Sequence, residues 1–356
     1  MAAERSSLCG KHVVITGASS GLGAALAVEM ASLGAHVTLL ARRQKLLDGV
    51  ATQIRAQGGD ALALATDVTV QESVDKAIVQ AVEHWGPVDI LVANAGVSPN
   101  MAASDVDVSL VEDTMQLNFF GIVYPTNAVL PAMIERKDGI VLAISSVAAF
   151  RGLPTMGPYC ASKAAVSAWM ESLRSELDLQ KTGVRLITSH PGFIRTPMTK
   201  DGESRMPFIV EADDAARRLV QGIVGGESTI NFPWQFVAMM KFAGRLPNRM
   251  YDRVVWGATT NPVTWSVAVR AALLWLCGGL TVCLIAVLSM RAVAPTTAQT
   301  IKVICQIMFP VLTIAMLVVS KRLGGSIKIP ILIVLFSIPP AIIAGLAKLI
   351  GLFYSV

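Results

Sequence analysis

The sequence predicts an α/β fold, a doubly wound parallel sheet, followed by a helical membrane domain. Three observations lead there. A short apolar run at residues 12–16 passes through a glycine-rich turn into a helical pattern at 24–33, and a second apolar run at 36–40 follows closely. Further buried-strand patterns alternate with helical ones along the first two thirds of the chain. The chain also has 356 residues, 53% of them hydrophobic and 15% charged, which is longer and more apolar than one such domain needs, and the excess sits at the C-terminus.

Each element has its own warrant. Strands of a parallel sheet are covered on both faces, so the continuous runs HVVIT at 12–16, residues 36–40, 89–93 and 140–144 read as strands. Residues 44–57 and 71–85 carry helical periodicity, with Gly58-Gly59 breaking the chain between them, and 211–224 forms a late helix before a short strand at 228–232. The glycine turn is Gly17-Ala18-Ser19-Ser20-Gly21-Leu22-Gly23. Glycines let a backbone approach a pyrophosphate closely, and the N-terminus of the following helix offers unpaired N–H groups and a positive dipole end. Such a turn alone says little; the strand before it and the helix after it supply the context that a dinucleotide site requires.

The end of the second strand bears on which dinucleotide is bound. An acidic residue there would accept the ribose hydroxyls of NAD, whereas this chain has Ala41-Arg42-Arg43. Arg42, with Arg43 beside it, can pair with a 2′-phosphate through the guanidinium fork, which favours NADP(H); the alternative is that both are solvated loop charges.

Ser146, Tyr159 and Lys163 lie in ISSVAAFRGLPTMGPYCASKAAV. If Tyr159 opens a helix, Lys163 follows one turn on, on the same face, with its ammonium near the phenol. A free tyrosine has a pKa of about 10, so a nearby cation that favours phenolate would help it exchange protons with a substrate near neutral pH. Ser146, leaving the tip of the 140–144 strand, can hydrogen-bond the same reacting oxygen. Taken alone, a Tyr and Lys four apart also occur on many helix surfaces.

Together these features resemble the short-chain dehydrogenase/reductase family over about residues 8–235. The family's cofactor turn matches Thr16, Gly17, Ala18, Ser19, Ser20, Gly21, Leu22 and Gly23, its adenine-contacting Asp matches Asp67 with Val68 beside it, and its Asn-Ala-Gly matches Asn94-Ala95-Gly96. Its catalytic Asn, Ser, Tyr and Lys match Asn118, Ser146, Tyr159 and Lys163, and its segment beside the nicotinamide matches Pro191-Gly192, with Ile194 and Thr196 following. The resemblance implies a Rossmann-type fold and carbonyl reduction. NADPH gives hydride to the carbonyl carbon, Tyr159 protonates the oxygen, Ser146 polarises it, Lys163 holds the nicotinamide ribose, and Asn118 positions a relay water. Ser20 departs from the NADP subtype, where many relatives carry a basic residue, and so leaves the cofactor choice to Arg42. Cys160 reads as a small packing residue.

Residues 271–290, 303–320 and 329–347 each lack Asp, Glu, Lys and Arg. About 20 helical residues cross a hydrocarbon core of roughly 30 Å, so three spans fit. Pro310 and Pro339-Pro340 interrupt the second and third, leaving a kinked pair or re-entrant hairpin open. Arg249, Arg253 and Arg270 precede the first span, Arg291 and Lys302 follow it, and Lys321, Arg322 and Lys328 sit between the second and third, which by a small margin favours the catalytic domain on the cytosolic side of an integral membrane protein. Residues 1–10 are polar and carry no signal-peptide pattern. The five cysteines show neither a disulfide framework nor metal spacing.

Between these parts, Lys241, Arg245, Arg249 and Arg253 recur every four residues, opposite Phe236, Met239, Met240, Ala243, Leu246 and Met250. This basic amphipathic segment either lies on an anionic lipid surface, bent at Pro247, or packs against the catalytic domain. The expected organisation is a reductase domain at 1–232, a connecting segment at 233–266 and a membrane domain of two to three spans at 267–356. The net charge of +5 suits a membrane surface and cofactor phosphate better than nucleic acid. The expected substrate is a hydrophobic or lipid ketone rimmed by Met198, Met206 and Phe208, a 3-ketosphinganine-type ketone being one candidate. A 3-oxoacyl reductase, a sterol or retinoid alcohol dehydrogenase, and a non-catalytic NADP-binding scaffold are the alternatives. The family resemblance implies a homo-oligomer, a dimer or tetramer through the helices around 101–117 and 159–179, either of which the membrane domain could forbid.

Overall fold

The computed structural model describes residues 8–200 and 206–252. The expected membrane spans and the connecting segment beyond residue 252 lie outside them.

Seven parallel strands form one sheet in the order β3-β2-β1-β4-β5-β6-β9. They are β1 (His12–Thr16), β2 (His36–Ala41), β3 (Asp60–Ala65), β4 (Ile90–Ala93), β5 (Gly139–Ile144), β6 (Val184–Pro191) and β9 (Thr229–Phe232). A two-stranded ribbon, β7 (Ile194–Arg195) with β8 (Val210–Glu211), stands apart. The order reverses at β1, which pairs β2 on one side (Val13 with Val37) and β4 on the other (Val14 with Leu91).

Alternation along each strand divides the core into two layers. Val13, Ile15, Leu39, Val92 and Ile144 pack against α1 (Gly21–Ser32), α2 (Gln44–Ala56) and α7 (Ala212–Val224), using Leu26, Met30, Leu47, Ile54, Leu219 and Ile223. Val14, Leu40, Leu91, Val141 and Ala143 face α3 (Gln71–Trp85), α5 (Gly121–Arg136) and α6 (Gly157–Leu179) through Ile78, Ile122, Met133, Val166 and Met170. α4 (Val108–Met115) runs through a π turn, Gln116–Phe120, directly into α5. Among the described residues this continuous Val108–Arg136 run is the helix long and apolar enough to cross a membrane. Here, however, its Ile122, Val129 and Met133 are buried in the sheet layer.

Two boundaries differ from expectation. α1 starts at Gly21 rather than 24, because the glycines read as a turn already form its first residues. The basic amphipathic pattern is broken in two: α8 (Trp234–Arg245) ends where Leu246 turns extended before Pro247, and a second helical turn covers 248–252. Phe236, Val237, Met240 and Ala243 of α8 are buried in the catalytic domain, so its apolar face packs inward.

Candidate active site

Parallel sheets of this order bind ligands beyond the carboxyl ends of their strands, at the point where the order reverses. There, Gly17 adopts φ 66°, and a Cβ on it would lie 2.8 Å from Ala95 Cα. A Cβ on Gly23 would meet the Gly17 carbonyl oxygen at 2.4 Å. Only a side-chain-free turn fits against Asn94-Ala95. Thr16 Oγ1 ties the two strand tips together by accepting from the amides of Asn94 (2.9 Å) and Ala95 (3.1 Å), while Asn94 Nδ2 donates to the Thr16 carbonyl at 3.0 Å. α1 then begins with Ser20 making no side-chain cap and no acidic residue in its first turn. Its N–H groups and positive dipole end are left for an anion, and Leu22 behind them is buried in the core. These residues fit a dinucleotide pyrophosphate.

The arginine that reaches this turn is Arg43. Its Nη2 donates to Ser19 Oγ at 3.0 Å and to Ser20 Oγ at 3.1 Å, whereas Arg42 is exposed beyond the end of β2. The cation that Ser20 does not supply is thus brought to the same place from the next strand. Beyond β3, Asp67 Oδ1 accepts from the Thr69 amide (3.0 Å) and hydroxyl (2.7 Å), and buried Val68 packs beside Gly121. The segment after β6 closes over the turn. Gly192 donates its amide to the Phe232 carbonyl at 2.7 Å, Ile194 is buried, and a Cβ on Gly21 would sit 3.1 Å from Thr196 Cβ.

Ser146 follows β5 and caps a 3-10 turn, Val147–Ala149. Its Oγ accepts from the Ala148 amide at 3.1 Å, and its hydroxyl is hydrogen-bonded to the Tyr159 phenol. Tyr159 lies in the first turn of α6, and Lys163 one turn later. Lys163 Nζ donates to the Ile144 carbonyl at 2.7 Å and stands 5.9 Å from the centre of the Tyr159 ring. Gly96 brings the fourth residue in: a Cβ there would be 3.0 Å from Asn118 Oδ1 and 3.5 Å from Lys163 Nζ. Asn118 sits on the π turn, a distortion that re-aims side chains. Both of its amide protons are spent, on the Val97 carbonyl and Ser162 Oγ, each at 2.9 Å, and its Oδ1 accepts from the Val97 amide at 2.8 Å. The side chain thereby holds the loop after Gly96.

Burial dominates the electrostatics here. It pushes the Tyr159 phenol above its ordinary value, against the opposing effect of a hydrogen bond with Ser146. The net direction is the reverse of the phenolate expected from the neighbouring lysine, and it keeps the phenol a proton donor at neutral pH. Burial also lowers Lys163 to about 8, because an ammonium loses its hydration there.

Beside Ser146 lies an apolar wall. Val147, Phe236, Val237 and Met240 are buried together with Phe150, Leu153, Phe193, Phe208 and Met239 packed on them, and the Phe193 and Phe236 rings stack at 5.1 Å. Of the residues expected to rim a pocket, Phe208 joins this wall and Met198 is exposed. Cys160 is buried and accepts from the Leu153 amide at 3.3 Å, as a packing residue would.

Three residues behind the site escaped sequence reasoning. Ser162 anchors Asn118. His190, at the end of β6, contacts Ser167 Oγ through Nε2 at 3.0 Å and Asn231 Oδ1 through Nδ1 at 3.1 Å, while Ser167 and Ser145 both donate to the Lys163 carbonyl. Arg151 reaches from the Ser146 loop to the end of α8. A lone histidine before Pro191-Gly192 was the one visible signal for His190; nothing local marked the other two.

Known proteins agree with this geometry. Residues 11–206 match the family profile described as short chain dehydrogenase. An uncharacterized oxidoreductase from Myxococcus xanthus is 38% identical over 242 residues, covering 68% of this chain and 95% of its own. An 11-beta-hydroxysteroid dehydrogenase A from Sesamum indicum is 35% identical over 247 residues, covering 64% of this chain and 70% of its own. Among solved structures, a short chain dehydrogenase/reductase from Burkholderia phymatum in complex with NAD is similar, with a TM-score of 0.62 at 25% identity, covering 66% of this chain and 92% of its own. An alcohol dehydrogenase from Thermococcus sibiricus complexed with 5-hydroxy-NADP has a TM-score of 0.54 at 25% identity, over 60% of this chain and 90% of its own. With its cradle, its seven-stranded sheet and these likenesses in hand, the chain belongs to the short chain dehydrogenase family of oxidoreductases, whose cofactors are NAD or NADP.

Proposed function

We propose that the protein is a membrane-attached, NADPH-dependent reductase of a ketone carried by a lipid or other hydrophobic molecule. The observation that carries this reading is the buried Tyr159 phenol paired with Ser146 beside a wall built from Val147, Phe236 and Met240. When bound, the reduced cofactor supplies hydride to the carbonyl carbon. Tyr159, protonated because it is buried, gives its proton to the carbonyl oxygen, and the Ser146 hydroxyl, hydrogen-bonded to Tyr159 in this structure, donates to that oxygen once substrate is bound and so polarises it. Lys163 carries a cation behind both, held on the Ile144 carbonyl.

The choice of NADP(H) is supported by Arg43 at the Ser19-Ser20 edge of the glycine turn, where a guanidinium can fork onto a 2′-phosphate. Attachment to a membrane is supported by the uncharged runs at 271–290, 303–320 and 329–347, and by the outward face of α8. That face presents exposed Trp234 and Phe242 with Lys241 and Arg245, the aromatic and basic mixture suited to a headgroup layer. The positive flanks support, by a small margin, a catalytic domain on the cytosolic side, where NADP pools are usually reduced and reduction is the expected direction. A long-chain 3-keto sphingoid base is one candidate substrate. A sterol-type alcohol or ketone is a second, favoured by the name of the Sesamum indicum relative.

The test is NADPH oxidation by the full chain in detergent over ketones of increasing chain length and a ketosteroid, with NADH in parallel. Turnover confined to long-chain or steroid ketones, with NADPH preferred, supports the reading. Equal turnover of short soluble ketones contradicts the hydrophobic-substrate half of it. NADPH binding without turnover points to a non-catalytic binding protein instead.

A further inference from the structure

Arg151 lies in the loop between Ser146 and Tyr159, and its side chain leaves that loop for a segment 92 to 97 residues further on. Nη1 donates to the carbonyl oxygens of Ala243 (3.1 Å), Gly244 (3.1 Å) and Leu246 (2.7 Å), and Nη2 to Asn248 Oδ1 (2.9 Å). The guanidinium carbon stands 4.0 Å from the centre of the Tyr251 ring, and Tyr251 donates its hydroxyl to the Gly152 carbonyl in return. The end of α8 also seats closely on the loop, since a Cβ on Gly244 would be 3.4 Å from the Phe150 carbonyl oxygen.

The chemistry explains why an arginine is needed. The last carbonyls of a helix have no partner inside it and carry the negative end of its dipole. A flat cation with five donors can serve several of them, a side-chain oxygen and an aromatic face together; an ammonium cannot cover that geometry. A surface cap would serve its own helix, whereas this one joins the catalytic loop to the part of the chain that leads toward residues 253–356.

We propose that Arg151 is a positioning residue for substrate specificity. It latches the end of α8 onto the Ser146 loop. The two halves of the apolar wall, Val147 and Leu153 on the loop and Phe236 and Met240 on the helix, are thereby held at one spacing for the apolar part of the substrate. This rests on the proposed ketone reduction at the same site.

The test uses the full chain in detergent, as wild type, Arg151→Ala, Arg151→Lys, Asn248→Ala and the Arg151→Ala/Asn248→Ala pair. Two readouts are taken: the rate of tryptic cleavage after Arg245 and Arg249, and kcat and KM over a ketone size series. Arg151→Ala should speed cleavage at those two sites about tenfold, raise KM for the largest ketones about tenfold and leave kcat for the smallest within about twofold. Arg151→Lys should fall between, and Asn248→Ala should add little to Arg151→Ala because the two share one contact. Unchanged cleavage would overturn the latch. Faster cleavage with no size-dependent change in KM, or an equal fall in kcat on all ketones, would overturn the specificity role. If the wild type turns over no large ketone, the proposed substrate class falls, and the latch is judged by cleavage and by KM on the ketones that are reduced.

Discussion

Lys163 Nζ donates a 2.7 Å hydrogen bond to the carbonyl oxygen of Ile144, the last residue of the strand that delivers Ser146. The contact holds the ammonium under the site, where burial lowers it to about 8. The group is charged below that pH and neutral above it, so kcat/KM for ketone reduction should fall as pH rises through about 8. In Lys163→Arg the guanidinium does not titrate in this range, so that limb should vanish from whatever activity remains. Identical alkaline limbs in the two proteins would assign the titration elsewhere.

Tyr159 is held protonated by burial, and its hydroxyl is paired with Ser146. Tyr159→Phe should lower kcat by about 10³-fold while NADPH binding, followed by cofactor fluorescence, is kept. Retention of more than a tenth of wild-type kcat would remove the phenol from the chemistry.

Arg43 donates to the Ser19 and Ser20 hydroxyls of the glycine turn, a contact that the likewise exposed Arg42 does not make. Arg43→Ala should therefore raise KM for NADPH by about tenfold to a hundredfold and leave KM for NADH within about twofold, the size expected of one charge-assisted pair. Arg42→Ala should do less. A larger effect at Arg42 would restore the order read from the sequence alone.

Gly96 lets Asn118 and Lys163 approach across a backbone without a side chain. A methyl there would stand 3.0 Å from Asn118 Oδ1 and 3.5 Å from Lys163 Nζ. Gly96→Ala should reduce kcat about tenfold or more through displacement of these two groups, with a melting temperature only a few degrees lower, about the shift of ~1 kcal/mol. Full activity would show that the Asn118 contact is not needed at this spacing.

His190 is lowered to about 4 by burial, with a minor contribution from the Lys241 charge, and its ring lies 4.9 Å from that of Phe150. Its folded pKa is below its unfolded one, so the unfolded chain binds more protons and stability falls as pH drops from about 6.5 toward 4. The full effect is up to about 3 kcal/mol from one such group. His190→Asn should flatten the melting temperature between pH 7 and 5 relative to wild type. Parallel pH curves for both proteins would place the acid sensitivity elsewhere.

The parts of the molecule that were legible in sequence are those where one residue's chemistry is locally determined. β1 and β5 show as continuous apolar runs because both sheet faces are covered, and the glycine turn shows because no other residue fits against Asn94-Ala95. β3, whose DALALA is apolar but built from the helix formers Ala and Leu, and β6, whose VRLITSHP mixes polar residues into a buried strand, went unread. α5 was missed because Pro125 and Pro131 argue against a helix that packing nevertheless sustains. At the site, the tetrad could be named from spacing, but which arginine turns toward Ser20, and which partners Asn118 bonds, depend on side-chain directions set by distant strands.

The distance along the chain between Arg151 and its acceptors also sets an order of events during synthesis. Translation completes the whole cofactor cradle and all four tetrad positions before Ala243 is made. Until residues 243–251 leave the ribosome, the loop between Ser146 and Tyr159 lacks the carbonyls that restrain it, so a nascent chain can take up its dinucleotide earlier than it can hold a substrate. The last step of maturation at the catalytic centre thus falls to the stretch of chain that leads into residues 253–356.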